Sequence, residues 1–140
     1  MNPASIITRL RAECPTLRAV GGAAEYDVAA NGITVTPAAY VVPMAEVADD
    51  NILLGHTAQR VVASVGVLIV VSDHASAASG LDGLNSLEAY RIAIRSALLN
   101  WPPVPDADPF VFEGGAILDF RPGELWWQDT YRTAYDIRSI

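Results

Sequence analysis

"QRVVASVGVLIVV" occupies residues 59–71 and alternates along its whole length. Val61, Ala63, Val65, Val67, Ile69 and Val71 fall on one side, and Arg60, Val62, Ser64, Gly66, Leu68 and Val70 on the other. Successive strand side chains point to opposite faces, so one face is wholly apolar and the other mixed. The pattern predicts a long central strand, from Thr57 to Ser72, covered on one side by a helix. Its apolar run, 61–71, is 11 residues long. A membrane-spanning helix needs about 20.

Upstream, Asn2 followed by Pro3 reads as a helix N-cap with proline in the first turn. Ile6, Ile7 and Leu10 then form a stripe at helical spacing, and Pro15 stops it. "GGAAEYDVAANG" (21–32) predicts a short second helix around 23–30. "ITVTPAAYVVPM" predicts a short strand at about 38–42, bounded by Pro37 and Pro43 or lying at an edge. "AEVADDNILLGHTAQ" (45–59) has no clean period and reads as a long connection. Ile52, Leu53 and Leu54 within it need a partner if they are exposed.

Downstream, "SDHASAASGLDG" (72–83) reads as a small-residue loop. Asn85 and Glu88 form an N-cap and N3 pair opening a helix whose stripe is Leu87, Tyr90, Ile94, Ala97, Leu98 and Trp101. "WPPVP" ends it. "DPFVFEGGAILDF" (108–120) predicts a strand bent at Gly114 and Gly115. "RPGE" (121–124) has proline and glycine at the centre of a type II turn. A final strand over about 124–138 completes a hairpin. Leu125, Trp127, Tyr131, Tyr135 and Ile137 share one side of it, interrupted by Asp129 and Thr133. Trp126 lies on the other, polar side and needs a cover from another element or, as we expect, another subunit. The order predicts an α+β fold spanning 1–140 as one domain, with a mixed or antiparallel sheet and helices packed on one face.

Composition narrows the function classes. Half the chain is hydrophobic, the net charge is −7, and all nine basic residues are arginines. Without a basic run or a positive helix face, a sequence-specific nucleic-acid reader is not indicated. The lone Cys14 excludes an internal disulfide and a four-cysteine zinc site. It reads as a small buried side chain at the end of the first helix. No secretory signal opens the chain. A soluble protein made in a reducing cytoplasm is expected.

No motif predicts catalysis, a cofactor or a metal. Ser72, Asp73 and His74 are adjacent, but a triad is a spatial arrangement with a nucleophile at a strained turn, and G-x-S-x-G is missing. Asp73, His74, Asp82 and His56 match no ligand spacing. A lysine-free chain has no P-loop. Asp49 with Asp50, and Asp106 with Asp108, read as solvated turn residues. Trp101 closes an amphipathic helix and reads as core.

Taken together, "PAAYVVP" (37–43), "QRVVASVGVLIVV" (59–71), "ALLNWPP" (97–103) and "FVFEGGAILDFRPGELWWQDTYRTAYDI" (110–137) resemble the tail terminator proteins of long-tailed bacteriophages and prophages. The resemblance lies in order and spacing rather than in any single motif. It implies a virion protein without an active site that forms a homo-oligomeric ring, commonly a hexamer, on the head-proximal end of the tail tube. Such a ring stops tube polymerisation and offers a surface for head–tail joining. The implied partners are the tail tube protein and a neck or connector protein, with DNA only passing through the lumen and no membrane involved. A cyclic ring needs two different complementary patches per subunit. Ile52, Leu53, Leu54 and Trp126 are the candidates. Another virion joining protein is the nearest alternative. A small ligand-binding domain or enzyme is the different-class one, and it predicts a defined pocket with a perturbed ionisable group.

Overall fold

The computed structural model describes residues 1–32, 35–72 and 81–139. The elements run α1 (Ala4–Glu13), β1 (Ala19–Gly21), α2 (Ala23–Ala30), β2 (Ala38–Ala48), β3 (Ala58–Ser72), α3 (Leu81–Leu98), β4 (Val111–Arg121) and β5 (Glu124–Arg138). One five-stranded sheet has the order β1-β2-β3-β5-β4. β1 pairs in parallel with β2, and every other neighbour is antiparallel, so the sheet is mixed and the fold is α+β as expected.

β3 lies at the centre, paired over its full length with β5 and over most of it with β2. Opposed residues in an antiparallel ladder share a face, so two cores follow from the register. On one face Val65, Val67, Ile69 and Val71 meet Val41, Leu125 and Tyr131 under Ile6 and Leu10 of α1 and Leu87, Ile94 and Leu98 of α3. On the other, Leu68 and Val70 join Ala38, Tyr40 and Trp126 under Ala29 of α2. Each fully buried Val, Leu or Ile stabilises by about 1.5–3 kcal/mol relative to exposure. α1 and α3 therefore occupy the face predicted for helices, and α2 closes one corner of the opposite face.

Several boundaries differ from the sequence reading, each for a local reason. Asn2 Oδ1 accepts from Ala4 N–H at 2.9 Å, the bond expected of an N-cap at Asn2, one residue before the helix edge at Pro3. β2 does not stop at Pro43 but runs to Ala48. Beyond Tyr40 its outer edge has no neighbour in the sheet, where a missing N–H costs no ladder bond, and a bulge between Pro43 and Ala45 absorbs the irregularity. The connection to β3 shrinks accordingly, from 45–59 to 49–57. β1 is a three-residue strand that the sequence reading lacks. α3 begins at Leu81, four residues before the Asn85 cap. Ser72 ends β3, and Asp73, His74 and the rest of 73–80 lie outside the described residues.

Candidate assembly surfaces

The 49–57 connection is a loop held chiefly by the Asn51 side chain. Asn51 Nδ2 donates to the carbonyls of Leu53 (3.2 Å) and His56 (3.1 Å), and its Oδ1 accepts from Ala58 N–H at 2.9 Å. Gly55 takes φ +80°, a conformation that favours glycine. Thr57 and Ser139 exchange bonds across the base, Ser139 N–H to the Thr57 carbonyl at 2.9 Å and Thr57 N–H to Ser139 Oγ at 3.1 Å. This frame turns Ile52 and Leu54 outward, 87% and 94% exposed. Leu53 is less exposed and borders a groove with His56, Ala58 and Arg138. Three of the four predicted contact residues thus sit together on a pinned loop.

Trp126 is not among them. It is 2% exposed and buried by its own chain, correcting its expected place at a subunit interface. Tyr26 of α2 meets its ring edge-on at 6.1 Å and 70°. Arg121 lies over it at 4.7 Å while donating to the Ala30 carbonyl (2.9 Å) and to Asp119 Oδ2 (2.8 Å). Alternation placed Trp126 on the correct side of β5. What it could not supply is that α2 folds onto that side.

The neighbouring Trp127 belongs to a polar cluster that the sequence reading missed. Asp129 is fully buried on the α3 side of the sheet. Arg91 of α3 clasps it through Nε (2.9 Å to Oδ2) and a second guanidinium nitrogen (2.9 Å to Oδ1), and Trp127 Nε1 donates to Oδ1 at 2.8 Å. The Asp129 hydrogen bonds hold the Arg91 guanidinium above its already high ordinary value, against the effect of burial. Glu88 adds a weaker contact at 3.3 Å. Gly115 is required by this cluster, since a Cβ there would stand 2.3 Å from Asp129 Oδ1 and 2.9 Å from Trp127 Nε1. The available signal was an aspartate in the apolar register of a strand, which demands a buried cation.

Nothing in these clusters suits catalysis. The burial that encloses Cys14 pushes its thiol up, away from reactivity. A groove of about 430 Å³ between α2 and the β1–β2 edge is lined by Ala24, Val28, Val35 and Tyr40, with Glu25 as its one charge. Glu25 caps α2 by accepting from Gly22 N–H at 3.1 Å, and its own and the Gly22 backbone N–H hold its carboxyl below the usual range. That is a structural cap, not an acid–base group.

The model of the family described as phage tail terminator protein matches residues 1–140. The chain belongs to that family. No curated protein matches it. Membership makes the chain a structural component of a phage tail, and so of the virion.

For a tail terminator, exposed apolar surface is the feature of interest, and β4 holds a further share of it. Val111, Phe112, Ile117, Leu118 and Phe120 are all exposed on this edge strand. The register assigns Phe112, Ile117 and Phe120 to the α3 face and Val111 to the other. On the open face three arginines are neutralised. Arg60 pairs with Asp108 and Asp136, Arg132 faces Glu113, and Arg121 holds Asp119.

Proposed function

We propose that this tail protein forms a closed homo-oligomeric ring, a hexamer, at the head-proximal end of the tail tube. There it stops tube polymerisation and presents the surface to which the neck or connector protein joins. The observation that carries this reading is the Asn51-pinned loop with Ile52 and Leu54 almost wholly in solvent. A loop that spends its hydrogen bonds holding two aliphatic side chains outward is built for a partner, because such groups gain free energy only when covered. The tail tube protein is the partner we assign to Ile52, Leu53 and Leu54.

The charge of the chain fits a conduit. DNA-binding proteins are held by unneutralised Lys and Arg on phosphates. Here the chain is acidic and lysine-free, and three of the open-face arginines, Arg60, Arg121 and Arg132, are paired with carboxylates. DNA passes the ring without being bound. Retention of DNA by the purified protein at about 0.15 M salt would contradict this.

Electron microscopy of particles made without this protein tests the assignment. Overlong tubes are expected. Free tails of normal length would instead assign the protein to head–tail joining alone, as a connector.

A further inference from the structure

The sheet has two open edges. β1 covers β2 only at Ala38, Ala39 and Tyr40, leaving the outer side of Ala45–Ala48 without a strand. At the other end of the sheet, β4 has β5 on its inner side only. Among the described residues, the backbone of 111–121 makes one hydrogen bond outside that ladder, Phe120 N–H to Asp119 Oδ1. Long apolar edge strands with free backbone groups are templates for pairing. The side chains flanking these edges, Met44 and Val47 on one and Phe112, Ile117 and Leu118 on the other, are exposed hydrophobics.

We propose that the β4 edge of one copy pairs antiparallel with the Ala45–Ala48 edge of the next, joining the sheets into one continuous band around the ring. The proposal rests on the ring reading above and names its junction. Strand direction supports it. From β2 to β4 there are three antiparallel steps, β2–β3, β3–β5 and β5–β4, so β2 and β4 run in opposite directions. Rotation about a ring axis roughly along the strands preserves each strand's direction. The β4 of one copy therefore meets the next copy's β2 antiparallel, the more stable ladder. The two edges are different surfaces, as a heterologous cyclic contact requires. Pro43 and the adjoining bulge set the upper limit of the paired stretch on β2.

Cysteine pairs on the open face test the junction in a Cys14→Ser background. Val47 lies on that face of β2, and Gly114 and Ala116 on that face of β4. Oxidation of Val47→Cys/Gly114→Cys or Val47→Cys/Ala116→Cys protein, alone and with purified tail tubes, is expected to give a ladder of covalent oligomers ending at the ring number. Each single-cysteine variant is expected to give none. Leu118→Lys, at an exposed bulge position, is expected to leave the melting temperature unchanged and to abolish the oligomer in light scattering. Dimers from Gly114→Cys alone would mean that two β4 edges meet, and would overturn the proposal. A native-sized oligomer without the ladder, unaffected by Leu118→Lys, would overturn this junction and leave the ring standing. A protein that remains monomeric both in solution and on tubes would overturn ring and junction together.

Discussion

The two arms of the β4–β5 hairpin are both rich in apolar residues, yet one is buried and the other is not. β5 contributes Leu125, Trp126, Tyr131 and Ala134 to the cores, and even its Asp129 and Thr133 are buried. β4, joined to it by the tight Pro122–Gly123 turn with Gly123 at φ +79°, exposes Val111, Phe112, Ile117, Leu118 and Phe120. Strand order decides this difference. β5 lies between β3 and β4, with α3 above one face and α2 over a corner of the other, while β4 has one neighbour and no helix of its own. Hydrophobicity that stabilises the fold and hydrophobicity offered to a partner are therefore separable within about 28 residues of sequence. A β5 substitution should register in folding, and a β4 or loop substitution in assembly.

The largest effect should come from Trp126→Ala. Emptying the space under α2 is expected to cost about 4 kcal/mol in denaturant unfolding. Trp126→Phe, which keeps a ring and removes an indole N–H without a partner, should cost much less. If Trp126→Ala left the unfolding midpoint in place and removed only oligomerisation, the separation drawn between the two arms would fail at its strongest point. Next, Arg91→Met should cost about 3 kcal/mol, because it strands the buried Asp129 carboxylate while keeping an apolar stem. Arg91→Met combined with Asp129→Leu should recover most of that loss. A double variant no more stable than Arg91→Met would show that the pair is not the source of the cost.

A smaller and sharper test lies where the two arms touch. Gly114 and Gly115 are neighbours on β4, yet a Cβ at Gly114 would meet nothing within 4 Å while one at Gly115 would strike Asp129. Gly115→Ala is expected to destabilise by about 1–3 kcal/mol through overpacking. Gly114→Ala should be neutral or slightly stabilising, since it restricts the unfolded chain. Equal thermal shifts for the two would contradict the close approach of Gly115 to the Arg91–Asp129–Trp127 cluster.

Much of this fold is legible in the sequence because its main elements carry clean periods. β3 and β5 were bounded by alternation alone, and the hairpin by "RPGE". What escaped did so for physical reasons. Pro43 reads as a stop, but an outer strand edge tolerates it. Trp126 was placed on the right side of β5, while its cover was not, since α2 packs through Tyr26, Ala29 and Ala30, small or ambiguous residues that form no strong stripe. Arg91 and Asp129 are separated by 38 residues, and only the fold brings them together. Ile52, Leu53 and Leu54 were readable for the opposite reason. Apolar residues without any period have no face to bury.

That loop supplies the smallest expected change in stability and the clearest functional one. Leu54→Ser removes a side chain that touches little, so unfolding should move by no more than about 0.5 kcal/mol, while attachment to tail tubes, read by co-sedimentation, should be lost. Asn51→Ala is the companion variant. It keeps Ile52 and Leu54 but deletes the bonds to the Leu53 and His56 carbonyls and from Ala58 N–H. Hydrogen bonds of this kind contribute about 0.5–1.5 kcal/mol each, and in an exposed loop much of that returns as bonds to water. Binding should then weaken without vanishing, because the apolar contact survives and only its ordering must be supplied on docking. Full binding by Asn51→Ala would mean that the frame is irrelevant and any apolar loop would serve. Full binding by Leu54→Ser would remove the loop from the tube contact.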